Sequence, residues 1–274
     1  MPPSDPTARP APGITGDLSR LYDVFVDWPG RLSRELPGIE RHLAAVGARR
    51  VLDAGCGTGQ HVRALRERGY EVHGADVSED MLDQAARLLG GRDGLHPWRM
   101  GDPPSDSLRA AAPFDALIAM GNVWPQLARE AAGRAAAATF RELVRPGGLV
   151  LLGFKAVAVR KQSGNPYMPL MRREHEGRPL WFIRFVDTDL APFEDGTPAA
   201  EFHMVVVAGD ASSGAGVREA LLHDTARVRA WLPEELGPWF TARGFEDVQV
   251  SGKLLDPTVA PTTEDVFVSM RVPG

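Results

Sequence analysis

The sequence has almost no cysteine: Cys56 is the only one in 274 residues. A single thiol excludes an intramolecular disulfide and any zinc site of the CxxC type, and it fits a reducing compartment, so a cytoplasmic location is expected. No uninterrupted apolar run approaches the ~18 residues of a membrane span, so no spanning helix is expected. Excess positive charge is missing too, with 31 Lys and Arg against 36 Asp and Glu, a formal charge of -5. A nucleic-acid partner, which ordinarily meets a basic surface, is therefore not expected. The nearest approach to a basic patch, Arg172-Arg173, reads as a solvated loop. The 7 histidines show no metal-ligand spacing such as HxxxH, so no metal site is expected. Residues 1–13 are rich in proline and alanine and lack the apolar stretch of a secretory signal. Residues 1–15 are expected to form a flexible tail, too poor in apolar mass to fold alone.

What is present is a globular composition, 43% hydrophobic and 24% charged, enough for a sizeable core within residues 16–274. Leu18, Leu21, Tyr22 and Phe25 recur at helical spacing until Pro29, and a second helix is expected over Leu32–Val46. Short apolar strands then alternate with helices. The strands are Arg50–Asp53, Glu71–Ala75, a weak one at Trp98–Met100, Ala116–Met120 and Leu149–Gly153. The helices are Gln60–Arg68, Glu79–Leu89 (with Ser78 placed to cap it) and Ala128–Val144. This alternation predicts an α/β fold, a mostly parallel sheet with helices on both faces. After Phe154 the rhythm changes to an antiparallel meander through Trp181–Asp189, Glu201–Ala208 and Val217–Trp231. A helix at Glu234–Arg243 and strands at Asp247–Val250 and Asp265–Val272 resume the first pattern, so residues 155–230 read as an insertion.

The most informative stretch is Val51-Leu52-Asp53-Ala54-Gly55-Cys56-Gly57-Thr58-Gly59. A strand ends in an acid, and three alternating glycines precede a helix. Glycine permits positive φ and close backbone approach, which a cofactor lying over the carboxyl end of a strand requires. Dinucleotide enzymes favour G-x-G-x-x-G instead. An ordinary βα turn and a nicotinamide site are the competing readings of these residues alone.

The segment resembles motif I of class I S-adenosylmethionine-dependent methyltransferases, and the likeness extends along the chain in order. It implies a Rossmann-like, mostly parallel seven-stranded sheet, an N-terminal helical lid and an antiparallel β insertion after the fifth strand. S-adenosylmethionine is the cofactor it implies. In such enzymes an acid ends the second strand and chelates both ribose hydroxyls, and Asp76, 21 positions after Gly55, holds that place. Asp102 resembles the acceptor of the adenine amine, although Pro103 beside it has no N–H to offer the ring. Asp53, Ala54, Gly55, Gly57, Gly59, Val77, Met81, Gly101 and Met120 complete the implied cofactor set. Arg145-Pro146-Gly147-Gly148 resembles the family's turn into the fifth strand.

Within that class the chain is most similar to the glycine/sarcosine N-methyltransferase-like group of small-molecule enzymes. Tyr22 and Trp28 fall in the lid segment, and Arg31, 22 positions before Asp53, matches an arginine that binds the methionine carboxylate. Gly121-Asn122-Val123-Trp124-Pro125-Gln126-Leu127 resembles a segment that places Asn122 where cofactor and acceptor meet, with Gln126 where histidine is usual. Lys155 stands near the position of an arginine that grips the acceptor carboxylate, but Ala156 and Val157 replace its polar company, which argues against glycine as acceptor. Trp124, Lys155, Trp181, His203 and His223 are the expected acceptor contacts, with Asn122, His223 and Tyr22 as the candidate catalytic groups. Methyl transfer from a sulfonium is an in-line displacement that needs alignment in a dry pocket rather than a triad. The expected reaction is methylation of a small-molecule amine. O- or C-methylation of an aromatic intermediate is the alternative, and an oxidoreductase or a non-catalytic binding protein the readings of another class.

Overall fold

The computed structural model describes residues 17–160, 164–209, 217–261 and 265–274. The expected tail lies outside the described residues. In chain order the elements are α1 (Asp17–Phe25), α2 (Trp28–Ala44), β1 (Arg50–Ala54), α3 (Gln60–Arg66), β2 (Glu71–Asp76), α4 (Glu79–Leu89) and β3 (Leu95–Pro97). Then come α5 (Asp106–Ala111), β4 (Phe114–Met120), a short 3-10 turn (Trp124–Gln126), α6 (Glu130–Leu143) and β5 (Val144–Lys155). The remainder comprises β6 (Met171–His175), β7 (Arg178–Asp187), β8 (Ala199–Gly209), β9 (Val217–Arg229), α7 (Pro233–Thr241), β10 (Glu246–Ser251) and β11 (Asp265–Arg271).

Seven strands form the main sheet in the order β10-β11-β5-β4-β1-β2-β3, parallel except for β11, which runs antiparallel to both β5 and β10. Burial follows the strand period of two. Leu52, Ala54, Leu117, Ala119, Val150 and Leu152 join the core built with α5, α6 and α7. Val51, Ala116, Ile118, Leu149 and Leu151 join the opposite core, built with α2, α3 and α4. The chain moves outward from β1 to β2 and β3, then returns to pair β4 on the other side of β1. That reversal opens a crevice at the carboxyl ends of β1 and β4, the place where open α/β sheets hold ligands.

The four strands β6-β7-β8-β9 form a second, antiparallel sheet. Leu21, Val24 and Phe25 of α1 pack against Leu180, Phe182, Met204, Val206 and Ala208 on one of its faces. The N-terminal helix is thereby wedged between that sheet and the crevice.

Several local expectations differ from the structure for identifiable reasons. Pro29 does not interrupt the helix but opens it: Asp27 caps α2 and accepts from Gly30 N at 3.2 Å, and proline suits a first turn whose N–H groups lack helical partners. The third strand is Leu95–Pro97 rather than Trp98–Met100, because Trp98 turns into the core and donates its Nε1–H to Asp102 O at 3.0 Å. Arg172 and Arg173 are not in a loop. They lie in β6, where Arg172 bonds Glu174 at 2.6 Å and covers the Trp181 ring. The short α5, capped by the Ser105 hydroxyl on Leu108 N, was not anticipated from the sequence.

Candidate active site

A cavity of about 1430 Å³ lies between the carboxyl ends of the main-sheet strands, α1, α2 and the second sheet. This exceeds the roughly 300–1,000 Å³ of a single-ligand pocket and gives room for two molecules side by side.

One half is built on the glycine loop. Gly55 has φ +80°, and a Cβ there would lie 2.5 Å from Val123 Cγ2, so neither the conformation nor the space admits another residue. Gly57, at φ +54°, donates its N–H to Asp76 Oδ2 at 2.9 Å, while Ser78 N donates to Asp76 Oδ1 at 2.9 Å. The Asp76 carboxylate is thus fixed at the tip of β2, on the cavity wall. Burial raises its pKa, opposed by the backbone N–H groups of Ser78, Gly57 and Val77. Val77, Met81, Gly101, Asp102, Met120 and Gln126 continue the same wall. The Asp102 side chain is more than half exposed and lies 3.6 Å from Arg99.

Arg31 enters from α2. Its Nε is 3.0 Å from Glu35 Oε1, its guanidinium lies 5.0 Å from the centre of the Trp28 ring, and its Nη2 comes against Gly121 at the end of β4. Glu35 in turn contacts His61 Nε2 at 2.8 Å. Burial pushes the Glu35 carboxyl up, but the His61 hydrogen bond and the Arg31 charge outweigh it and hold the pKa below its usual value. The Tyr22 hydroxyl bonds the same guanidinium, and its pKa is raised by burial. Behind this row sits Asp53, 1% exposed, whose Oδ2 has no hydrogen-bond partner. Burial drives the Asp53 carboxyl up to about 6 against the pull of His61 and Arg31.

The other half is walled by the second sheet. Met204, Phe202, Asp224, Ala226 and Val228 face inward, with Met168 and Met171 beside them. At the seam between the halves, Asn122 Oδ1 accepts from Lys155 N at 3.0 Å, and Lys155 Nζ lies 2.9 Å from Asp265 Oδ1.

Residues 51–148, which span this framework from β1 into β5, match a family described as a methyltransferase domain. The glycine/sarcosine N-methyltransferase of Parasynechococcus marenigrum is 33% identical over 159 residues, covering 55% of this chain and 56% of that enzyme. The chain therefore spans little more than half the length of this relative. DesVI of Streptomyces venezuelae has a similar structure, with a TM-score of 0.72 at 22% identity over 95% of this chain and 100% of its own. CalS10, an amino pentose methyltransferase from Micromonospora echinaspora solved with S-adenosylmethionine bound, has a TM-score of 0.64 at 23% identity, covering 95% of this chain and 98% of its own. Residues 51–148 thus resemble a methyltransferase domain, and the fold as a whole is that of S-adenosylmethionine-dependent methyltransferases.

The residues present fit that cofactor. A fixed carboxylate stands at the tip of β2 (Asp76), a guanidinium at the end of β4 (Arg31), and a buried carboxylate oxygen without a partner behind the loop (Asp53). These are complementary to a ribose diol, a carboxylate and an ammonium group respectively.

Of the residues expected in the cofactor site, the structure brings Tyr22, Arg31, Gly55, Gly57, Asp76, Val77, Met81, Gly101, Asp102, Met120, Asn122 and Gln126 to the cavity wall. Asp53, Ala54 and Gly59 lie behind the wall, and Trp28 is buried, its Nε1–H donated to Asp23 at 2.7 Å. Trp124 is not an acceptor contact: it is 1% exposed in the core, packed against Phe140, Trp231, Trp239 and Phe240. Trp181, His203 and His223 also do not line the cavity. Strand alternation turns them to the outer face of the second sheet, where His203 stacks on Phe185 at 4.4 Å and on His223 at 5.6 Å. Sequence reasoning missed their inward neighbours Asp224 and Met204, and missed Arg184 and Arg173.

Proposed function

We propose that this chain transfers the methyl group of S-adenosylmethionine to the nitrogen of a small-molecule amine, in the chemistry of natural-product assembly. The observation that carries the reading is the two-part cavity, a polar half at the glycine loop joined to a largely apolar half beneath the second sheet. When bound, the cofactor supplies an activated methyl carbon on a sulfonium. Asp76 holds the ribose hydroxyls, Arg31 the carboxylate, and Asp102 the adenine amine. Asn122 orients the acceptor at the seam, and its own position is set by the Lys155 backbone. Tyr22, from α1, closes the seam against water. Lys155 is neutralised by Asp265 and so is poorly suited to grip an acceptor carboxylate, which disfavours glycine. The names of its relatives, an N-methyltransferase and an amino pentose methyltransferase, support an amine. The methionine and phenylalanine lining of the acceptor half favours, as a second reading, O- or C-methylation of a planar intermediate.

Titration calorimetry with S-adenosylhomocysteine tests the cofactor half. The wild type is expected to bind, and Asp76→Ala to bind about 30-fold more weakly, from roughly 2 kcal/mol lost with a hydrogen bond to a charged group. No binding by the wild type would overturn the function. Unchanged affinity in Asp76→Ala would overturn the role of Asp76 alone.

A further inference from the structure

The acceptor half of the cavity contains a carboxylate, Asp224, that makes no ion-pair contact among the described residues, although His223 beside it in the chain attracts its charge. β7, β8 and β9 are in register such that Arg184 lies opposite Met204, and Met204 opposite Asp224. All three line the cavity. With strands about 4.8 Å apart, the backbones of Arg184 and Asp224 are separated by about 10 Å, with Met204 between them. The Arg184 guanidinium is engaged elsewhere, donating from Nη2 to Pro169 O at 3.2 Å and lying 5.1 Å from the centre of the Phe25 ring. Lys155, also on the wall, is held by Asp265. His223, beside Asp224 in the chain, belongs to the outer face and contacts His203 at 3.3 Å.

Asp224 is half-buried, receives a hydrogen bond from the Thr225 backbone, and has no ion-pair partner among the described residues. Met204, Phe202, Ala226 and Val228 share its wall. Burial raises its pKa, as expected of an anion set among apolar side chains. A half-buried anion of this kind gains from a cation brought into the cavity beside it, and a ligand's ammonium group is such a cation.

We propose that Asp224 is the docking point for the ammonium group of the acceptor, that its carboxylate takes one proton from that group so that the nitrogen lone pair is free to attack the methyl carbon, and that through it the enzyme selects amines over alcohols of the same shape. The inference rests on the amine-methylation reading and adds the residue that enforces it. A hydroxyl would also donate to Asp224, but it would leave the charge uncompensated. A matched amine and alcohol therefore differ at this contact in charge and little else.

The test uses the protein saturated with S-adenosylhomocysteine and two matched pairs of probes, benzylamine with benzyl alcohol and cyclohexylmethylamine with cyclohexylmethanol. At pH 7.5 the amines are cations. The wild type is expected to bind each amine at least tenfold more tightly than its alcohol. In Asp224→Asn, and in Asp224→Ser as a second variant, the ratio should fall to near one, with S-adenosylhomocysteine affinity and melting temperature unchanged. A wild-type ratio near one, or a preference that persists in both variants, overturns the proposal. Methyl transfer to the same probes separates it from the reading beneath. Amine methylation that survives Asp224→Asn with KM unchanged overturns the role of Asp224 alone. An Asp224-dependent amine preference in a protein that methylates only alcohols overturns amine methylation and leaves the docking role standing.

Discussion

Glu130→Ala is expected to lower the stability of the folded chain by about 3 kcal/mol, the low end of the cost of removing one partner from a buried ion network, since this one is partly buried. Glu130 opens α6 and gathers groups from distant parts of the chain. Arg229 at the end of β9 donates to Oε2 at 2.6 Å, Arg243 donates to Oε1, and Trp239 of α7 donates its Nε1–H at 3.0 Å. Arg134 adds a fourth donor at 2.9 Å. Burial works against the charge, but Arg229 leads a set of donors that holds Glu130 at about 2, so the carboxylate is ionised across the physiological range. Arg229 and Arg243 are only 12% and 18% exposed and lie over the Trp231 and Trp239 rings at 3.4 and 3.5 Å. Without Glu130 these two guanidiniums face each other half desolvated, with only the ring faces as compensation. The cluster also ties the second sheet to the main one, and Asp195, between β7 and β8, accepts from the Glu130 backbone N–H at 3.0 Å. At roughly 2–4 °C per kcal/mol for a chain of this size, thermal denaturation should show a midpoint about 10 °C lower. Glu130→Gln, which keeps the acceptor oxygen, should lie between. A midpoint unchanged in Glu130→Ala would mean that the arginines relax into solvent and that the clasp is not structural.

Residues whose placement depends on local sequence were legible, and those whose placement depends on register were not. The glycine loop and the acids at Asp53 and Asp76 lie within single βα units, where the strand end, the turn and the helix cap are all written in neighbouring residues. The second sheet is different. Its two faces both carry aromatic and polar side chains, with Phe182, Phe202 and Asp224 on one and Trp181, Phe185, His203 and His223 on the other. Composition does not say which face covers the cavity. That is decided by α1, whose Leu21, Val24 and Phe25 pack on the Phe182–Met204 side. A shift of one residue exchanges the faces, and it separates His223, which the sequence singled out, from Asp224, which the cavity contains. Trp124 fails for a related reason. It follows β4 two residues after Asn122, yet a short 3-10 turn rotates it away from the seam into the α6–α7 core.

Asp53→Asn is expected to move stability and ligand affinity in opposite directions. The Asp53 carboxyl titrates at about 6 in the folded chain because burial outweighs the attraction of His61 and Arg31, against 3.8 for an unhindered carboxyl. A raised pKa means that the folded state holds the proton more tightly than the unfolded state. The stabilisation that this proton confers is complete below about pH 4 and is lost as pH rises through about 6. At about 1.4 kcal/mol per pH unit, the ligand-free protein carries a burden of roughly 3 kcal/mol from this group at pH 8. Asparagine never ionises, so the ligand-free variant should be more stable than wild type by up to about 3 kcal/mol at pH 8 and nearly equal to it at pH 4. Denaturant titrations at the two pH values give both differences. Oδ2 has no hydrogen-bond partner, and the ammonium group of the cofactor, entering the cavity in front of the loop, is expected to add a further attraction to this charge. Asp53→Asn should therefore bind S-adenosylhomocysteine about tenfold more weakly, a loss of about 1.4 kcal/mol, at the pH where it is the more stable protein. Asp76 behaves differently because backbone N–H groups already hold its carboxylate, so it gives no comparable gain on neutralisation. A variant less stable than wild type at pH 8 would show that the Asp53 charge supports the loop itself. Undiminished affinity would show that the charge does not reach the ligand. Observed together, higher stability and weaker binding would identify Asp53 as an acid kept at a cost to folding for what it does to the cofactor.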